Sequence, residues 1–248
     1  MVLFALNMNK KRIRSSSEIL IQQVFDMLFP VHCAGCRKIG QVLCPSCIEQ
    51  IQPIPSPICD FCGTPLSTYG VCKICQYHRP KLSGQRAVGL YQDPLRDYIH
   101  QLKYDGNVRL AVPLGLMLAQ AFKYYGMQVD MLIPVPLHKD RYKQRGYNHA
   151  LLIAEVCSAH IGVPMKDNIL VRHRATVAQV DLHPRERYRN VAGAFTCSPN
   201  AYNVLDGRNI VIIDDVSTTG ATLEACATPL FMAGAKEVWG LVLARPLV

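Results

Sequence analysis

The sequence lacks the features that would place the protein in a membrane or outside the cell. It has no uninterrupted apolar run near the roughly 20 residues that a membrane-spanning helix requires, which excludes a membrane span. The N-terminal segment "MVLFALNMNKKRIR" places its apolar stretch before its basic one, the reverse of a secretory signal, and no small-residue cleavage site follows. We therefore expect a cytoplasmic protein in which residues 1–16 form a loose leader.

Acidic residues are scarce relative to basic ones. The 18 Asp and Glu against 27 Lys and Arg give a net charge of +9 and a pI near 9.0. This surplus favours anionic partners such as phosphates, nucleic acid or acidic lipid, and charge alone does not choose among them. Half of the 248 residues are apolar and 18% are charged, which excludes a disordered chain. The length suits one domain with a sizeable core and a smaller module.

Cysteine is abundant, and most of it lies in one short segment. Eight of the eleven cysteines lie in "CAGCRKIGQVLCPSC" and "CDFCGTPLSTYGVCKIC", each of which holds two CxxC knuckles. Two thiolates from one tight turn, joined by two from a second turn, complete the tetrahedral site that Zn²⁺ prefers. We predict one or two structural zinc sites, and an interleaved pairing of the knuckles stays open. The sequential pairing gives the groups Cys33/Cys36/Cys44/Cys47 and Cys59/Cys62/Cys72/Cys75.

A disulfide framework is the alternative for these cysteines. It requires an oxidising compartment, against which the missing secretory signal argues. Cys157, Cys197 and Cys226 lie singly in apolar segments, so we expect buried small side chains and not nucleophiles. Upstream, "SSSEILIQQVFDMLFP" has helical spacing with Ser17 as a cap, so residues 17–80 are predicted to form a helix and a zinc-ribbon module.

From residue 81 onward, predicted strands and helices alternate. The apolar pattern predicts helices at 93–104, 109–126, 148–162 and 220–233, and strands at 86–91, 129–137, 168–172, 191–197, 209–213 and 237–244. This alternation indicates an α/β domain over 81–248, with a mostly parallel sheet covered by helices on both faces. Ligands of such sheets bind at the carboxyl ends of the strands.

The segment "IVIIDDVSTTGATL" places two acids and a run of hydroxyls at such a strand end. The loop leads into a helix whose N-terminal N–H groups and dipole attract a phosphate, and Gly220 allows close backbone approach. Asp214 and Asp215 are suited to accept hydrogen bonds from sugar hydroxyls or to hold Mg²⁺. Helix capping alone would need only one hydroxyl. A Walker A loop is excluded, because its Gly-Lys-Ser/Thr ending is missing.

This segment resembles the phosphoribosyl pyrophosphate (PRPP) loop of type I phosphoribosyltransferases. The resemblance assigns Asp214 and Asp215 to the ribose hydroxyls. It assigns the 5-phosphate to the loop residues Ser217, Thr218, Thr219, Gly220, Ala221 and Thr222.

The order of several segments is similar to that of the ComF family of bacterial competence proteins. After the double CxxC module come "YQDPLRDYIHQLKYDG", "PVPLHKDRYKQRGYNHA", "RATVAQVDLHPRERYRNVAGAF" and the PRPP loop. The similarity extends from about residue 24 to 245. It implies a type I phosphoribosyltransferase-like parallel sheet flanked by helices, preceded by a small Cys-rich zinc-ribbon module.

The resemblance also implies further contacts with the ligand. Backbone groups of Val135, Pro136, Leu137 and His138 are expected to bind pyrophosphate. Arg141 and Arg145 follow in a basic run that suits pyrophosphate or a nucleic-acid backbone. Lys103 is a candidate phosphate ligand, whereas His100 is expected to pack. A mobile flap before the strand at 191–197 is expected to close over PRPP through Arg174, Gln179, Arg185 and Arg189.

Two functions agree with these features. The resemblance implies a competence factor that binds PRPP, or a related phosphoribosyl ligand, with Mg²⁺ and assists uptake or processing of single-stranded DNA. Other competence proteins are further expected partners. The alternative is an active phosphoribosyltransferase with an unidentified nitrogen acceptor. Purine-salvage members carry an acidic base at the position of Thr218, and only "RPLV" follows the last predicted strand, so we expect neither that base nor a C-terminal hood.

Overall fold

The computed structural model describes residues 30–176 and 183–247. The predicted leader, the predicted helix up to residue 29 and Gln179 lie outside the described residues. Within the Cys-rich segment, two short helices each begin directly after a cysteine. They are α1 (Pro45–Ile48), which follows Cys44, and α2 (Lys73–Tyr77), which follows Cys72.

The rest of the described chain alternates strands and helices. In order they are β1 (Gly84–Leu90), α3 (Leu95–Tyr104), α4 (Ala111–Tyr124), β2 (Met131–Pro134), α5 (Lys139–Arg145), α6 (His149–Ile161), β3 (Leu170–Arg172), α7 (Pro184–Val191), β4 (Phe195–Cys197), α8 (Tyr202–Leu205), β5 (Asn209–Val216), α9 (Ala221–Met232) and β6 (Glu237–Arg245). Single 3₁₀ turns precede α4 and α8. Within the described ranges, none of these helices is long and apolar enough to cross a bilayer.

Four strands form a parallel sheet in the order β1, β6, β5, β2. Apolar residues run continuously along β5 because both of its faces are covered. Val211 and Ile213 face one core, shared with α4 and α6, while Ile210 and Ile212 face a second core, shared with α9. The predicted parallel sheet flanked by helices is confirmed.

β3 and β4 depart from the prediction. They pair with each other in a separate antiparallel sheet and not with the main sheet. The chain leaves β3, passes through α7 and returns beside β3, so the two strands run in opposite directions. The strand predicted at 191–197 is also too long, because Val191 belongs to α7 and β4 begins at Phe195.

The first zinc-ribbon segment shares a core with the sheet domain. Cys33, Leu43 and Cys47 lie in the same buried cluster as Leu95 and Tyr98 of α3. That cluster continues into the side of the sheet that α4 and α6 cover. The Cys-rich segment is therefore packed onto the domain and not tethered to it by a linker alone.

Candidate functional site

The eight cysteines of the ribbon segment converge in two groups of four. The sulfur atoms of each group lie within 4.8 Å of one another. Sγ of Cys36 lies 3.6 Å from Sγ of Cys44, and Sγ of Cys62 lies 3.7 Å from Sγ of Cys72. A tetrahedron with Zn–S bonds of about 2.3 Å has edges of about 3.8 Å, so both groups fit zinc. The groups are those of the sequential pairing, Cys33/Cys36/Cys44/Cys47 and Cys59/Cys62/Cys72/Cys75.

Local hydrogen bonds favour the thiolate form, which zinc binds, at Cys33, Cys44 and Cys59. The N–H of Cys44 donates to Cys33 Sγ at 3.4 Å, and the N–H of Cys72 donates to Cys59 Sγ at 3.3 Å. The Ser46 hydroxyl, 3.2 Å from Cys44 Sγ, lowers the pKa of Cys44 to about 6. All eleven cysteines lie in the described part of the chain and all are free thiols, so the disulfide framework is not observed.

A buried guanidinium beside the second group supports the same assignment. Arg245, at the end of β6, is 4% exposed, and nothing among the described residues hydrogen-bonds to its Nε and Nη1 atoms. Burial raises the pKa of Cys62, and the charge of Arg245 opposes that rise. Zn²⁺ bound by four thiolates carries two net negative charges, which would compensate this guanidinium.

The three isolated cysteines are not suited to act as nucleophiles. Cys157 and Cys226 are fully buried, and Cys197 is half-buried. Burial raises the pKa of Cys157 to about 12 and that of Cys197 to about 11, so both remain protonated thiols.

The hydroxyl-rich loop lies at the carboxyl edge of the parallel sheet, between Val216 at the end of β5 and Ala221 at the start of α9. Gly220 has a φ of +82°, a left-handed conformation that glycine adopts without strain. Among the described residues, nothing accepts a hydrogen bond from the N–H groups of Thr218, Thr219 and Gly220. Three such donors at the start of a 12-residue helix form a loop suited to binding an anion.

Ser217 differs from the other loop hydroxyls because its donors are used within the protein. It is 4% exposed. Its N–H donates to the carbonyl of Ala244 at 3.0 Å, and its hydroxyl lies 3.0 Å from Gln85 Oε1. Ser217 therefore anchors the loop to β1 and β6.

Asp214 and Asp215 are buried at the end of β5. One oxygen of each accepts a backbone hydrogen bond, Asp214 Oδ1 from the Asp215 N–H at 2.9 Å and Asp215 Oδ1 from the Val216 N–H at 2.6 Å. Asp215 Oδ2 lies 2.6 Å from Lys103 Nζ and 2.9 Å from His149 Nε2, although neither nitrogen has hydrogen-bond alignment. Lys103 thus neutralises Asp215. The structure places this lysine on the acid and not among the loop hydroxyls.

His149 extends this charge network toward α5. Burial, followed by the charges of Lys103 and Arg145, holds the pKa of His149 well below its usual range, so the ring is neutral. Arg145 Nη1 lies 2.6 Å from His149 Nδ1, and a ring that accepts there carries its proton on Nε2, facing Asp215. Arg145 also stacks over Tyr104, 5.1 Å from the ring centroid.

Asp214 has no comparably close cation. Burial raises its pKa to about 6, and the charges of Lys103 and Arg172 oppose that rise. Asp214 is therefore ionised at neutral pH in a buried position. A ligand hydroxyl or a cation that contacts this carboxylate would relieve the cost of its burial.

The segment from Val135 to His138 lies at the same edge of the sheet. The Val135 N–H donates to the carbonyl of Ile213 at 2.9 Å, and Asn148 Nδ2 donates to the Val135 carbonyl at 3.0 Å. His138 caps α5, since its Nδ1 accepts from the Asp140 N–H at 3.4 Å. The fold therefore brings the predicted pyrophosphate segment next to β5.

Helix α7, part of the predicted flap, lies on the loop. Arg187 Nη1 donates to the Thr218 hydroxyl at 2.7 Å. The Tyr188 hydroxyl donates to the Thr219 carbonyl at 2.7 Å and approaches Glu224 Oε1 at 3.4 Å. Helix α7 therefore contacts both the loop and the first turn of α9.

Of the four residues predicted as flap contacts, the structure describes the side chains of Arg174 and Arg189. Arg174 Nη2 donates to the carbonyls of Asn190 and Ala192, so it braces the flap itself. Arg189 is exposed, Gln179 lies outside the described residues, and so does the side chain of Arg185. Sequence reasoning missed Arg187 and Tyr188. The sequence does hold a helix-start signal for α7, because Pro184 stands at the first helical position and Glu186 two residues later. In the structure the His183 N–H donates to Glu186 Oε2.

Comparison with known proteins supports the zinc-ribbon assignment and relates most of the chain to known proteins. A double zinc ribbon domain matches residues 24–76. The chain is 32% identical over 223 residues to Competence protein F of Haemophilus influenzae, covering 86% of this chain and 96% of that protein. The chain belongs to the ComF family of competence proteins.

Two further members support the assignment to the ComF family. Competence protein ComFC of Bacillus subtilis is 29% identical over 216 residues, covering 84% of this chain and 86% of that protein. DNA utilization protein YhgH of Escherichia coli is 32% identical over 196 residues, covering 77% and 85%. A purine phosphoribosyltransferase of Pyrococcus horikoshii aligns at a TM-score of 0.32 and 23% identity, over 54% of this chain and 70% of that one.

Proposed function

We propose that this ComF-family protein is a competence factor that binds PRPP, or a related phosphoribosyl ligand, with Mg²⁺ and assists the uptake or processing of single-stranded DNA. The observation that carries the proposal is the loop between β5 and α9. It sets the N–H groups of residues 218–220 and the hydroxyls around them beside two buried carboxylates. A phosphate and a sugar diol are complementary to these two neighbouring groups.

In this proposal the 5-phosphate binds the loop from Thr218 to Thr222, and the ribose hydroxyls bind Asp214. Arg187, which already contacts the Thr218 hydroxyl, is placed to add a charged contact to the phosphate. Ser217 holds the loop and Lys103 holds Asp215, so both act by positioning.

Asp214 is also suited to hold Mg²⁺, which prefers oxygen ligands. One ligand atom from each of His149, Asp214 and Asp215 lies within 4.8 Å of the others. Because Lys103 already neutralises Asp215, the Asp214 carboxylate is the better-suited ligand. The ion would be held by Asp214 together with oxygens of the ligand, and it would offset the charge of the pyrophosphate group.

The DNA part of the proposal rests on charge and on family membership. Relatives bear the names of competence and DNA-utilization proteins. The net charge of +9 favours a polyanion. Exposed cations on α5, at Lys139 and Lys143, supply contacts for a nucleic-acid backbone.

Calorimetric titration with PRPP and MgCl₂, with and without single-stranded DNA, tests the proposal. We expect saturable binding that Asp214→Asn weakens at least tenfold, because an amide replaces the ionised carboxylate. Asp167→Asn, the same change at an exposed position, should bind like the wild type. No binding by wild-type protein that holds its zinc would contradict the proposal.

Phosphoribosyl transfer to a nitrogen acceptor is a second candidate function, favoured by the position of α7. A helix that lies on the loop would shield a reacting sugar from water. Thr218 bonds to Arg187 at the place where purine-salvage members carry an acidic base, so the acceptor would have to differ from theirs. Labelled PRPP incubated with nucleobases or DNA should release pyrophosphate, and no release with any of them would leave the binding role alone.

A further inference from the structure

A buried glutamine joins the second zinc group to the anion-binding loop. Gln85 lies in β1 and is 5% exposed. Its Nε2 donates to the carbonyl of Cys62 at 2.9 Å, and its Oε1 accepts from the Ser217 hydroxyl at 3.0 Å. One side chain therefore connects a zinc-binding residue with the first residue of the loop.

The chemistry of the two partners fixes the orientation of this amide. A carbonyl oxygen can only accept, so the NH₂ end of Gln85 must face Cys62. The remaining amide oxygen also only accepts, so the Ser217 hydroxyl must donate to it. A buried amide that loses either partner keeps an unpaired polar group, which is unfavourable. Each end of the link therefore stabilises the position of the other.

The second knuckle is held on the same strand by its backbone. The carbonyls of Asp60 and Phe61 accept from Arg86 Nη1 at 3.0 Å and from the Gln85 N–H at 2.7 Å. A Cβ at Gly63 would lie 2.7 Å from the carbonyl oxygen of Gln85, so only glycine permits this approach. The knuckle thus forms a fixed support on one side of Gln85.

The first ribbon has a different connection to the domain. Gln101 of α3 donates from Nε2 to the Ala34 carbonyl at 3.4 Å and to Asp97 Oδ2 at 2.8 Å. Its Oε1 accepts from Asn107, and none of its hydrogen bonds within the described chain reaches the loop. Gln101 is therefore a matched control, a glutamine that bonds a ribbon without contacting the candidate site.

We propose that Gln85 is a positioning residue that couples the second zinc knuckle to Ser217 and holds the loop in its anion-binding form. The proposal deepens the proposed function, and its ligand-binding part rests on that function. A loop fixed before the ligand arrives loses less conformational freedom on binding, which raises affinity.

Two variants of Gln85 test its hydrogen bonds, one by removing both and the other by disturbing only the bond to Cys62. Gln85→Leu removes both hydrogen bonds at similar volume. Gln85→Glu keeps an acceptor for Ser217 but sets an oxygen against the Cys62 carbonyl. Calorimetry with PRPP and MgCl₂ should show both variants binding about tenfold more weakly than wild type, and Gln101→Leu binding unchanged. Wild-type affinity in Gln85→Leu would overturn the proposal.

Amide hydrogen exchange in the ligand-free protein tests the coupling without PRPP. Ser217→Ala, which changes only the loop end, should raise exchange at residues 59–63 and leave residues 33–36 unchanged. Unchanged exchange at 59–63 would overturn the coupling, with equal zinc content showing that the variant is folded. If wild type fails to bind PRPP while this coupling is observed, the proposed ligand is wrong and the positioning role of Gln85 stands.

Discussion

Asp214 and Asp215 are neighbours in the chain, but the protein compensates their charges differently. Lys103 Nζ lies 2.6 Å from Asp215, whereas burial raises the pKa of Asp214 to about 6 against the charges of Lys103 and Arg172. A residue that binds ligand gains from such incomplete compensation, because the contact replaces the lost solvation. We therefore expect the Asp214 carboxylate to lower the folding stability of the ligand-free protein and to raise its affinity for the ligand.

Asp214→Asn should therefore raise the free energy of unfolding by an amount that depends on pH. The pKa of Asp214 is higher in the folded state than its ordinary value of 3.8, so wild type loses stability as pH rises from about 4 through about 6. Asparagine does not ionise and avoids this loss. Urea unfolding without ligand or Mg²⁺ should show the variant more stable by roughly 1–3 kcal/mol at pH 7.5 and by clearly less at pH 5. An equal difference at both pH values would contradict the account.

Lys103 should contribute strongly to stability through Asp215. Its side chain is 20% exposed and that of Asp215 is 4% exposed, so removing the ammonium leaves a largely buried charge uncompensated. Lys103→Met should lower the free energy of unfolding by about 2–4 kcal/mol. The exposed Lys139→Met should change it by less than about 0.5 kcal/mol. Similar values for the two variants in chemical denaturation would show that the ion pair contributes little.

The partners of these acids could not be read from the sequence. The carboxylates and the loop were predictable because a buried strand, two acids and a glycine-hydroxyl turn are contiguous in the chain. Lys103 and His149 lie in α3 and α6, and only the packing of those helices beside β5 brings them to Asp215. The sequence therefore predicted Lys103 only as a candidate phosphate ligand, without its contact to Asp215.

Among the elements, α7 contacts the hydroxyl-rich loop through the side chains of Arg187 and Tyr188. Its Tyr188 hydroxyl bonds the Thr219 carbonyl and approaches Glu224. Tyr188→Phe removes these contacts and keeps the ring, so PRPP should dissociate roughly 3–10-fold faster. Stopped-flow displacement measures this rate, with the exposed Tyr202→Phe as control. An unchanged rate in Tyr188→Phe would mean that α7 does not retain the ligand.

Elements with an apolar face were predictable, and those without one were not. The helices at 111–124 and 149–161 and the strand at 209–216 bury continuous apolar stripes, which fixed their type and approximate bounds. Helix α7 is polar, with Val191 as a fully buried anchor at its end, so its apolar pattern gave no signal. The pairing of β3 with β4 depends on the return of the chain after α7, which strand propensity does not encode.

Within the described residues, both zinc-ribbon segments are in direct contact with the sheet domain. The first ribbon contributes Cys33 and Cys47 to the core of α3, and the second is hydrogen-bonded to β1 through Gln85. Removing zinc with a chelator should therefore lower the melting temperature of the entire chain, by about 10 °C, in one transition. Calorimetric scans that show the main transition unmoved by zinc removal would contradict this coupling.

We propose that PRPP, a ribose 5-phosphate with a diphosphate on C1, binds at the carboxyl edge of the sheet. A crystal structure of the protein grown with PRPP and MgCl₂ tests it most directly. We predict the 5-phosphate on the N–H groups of residues 218–222 and the ribose diol on Asp214, with Asp215 still paired to Lys103. PRPP bound elsewhere on the molecule, or a well-ordered loop without ligand at saturating PRPP, would contradict the account.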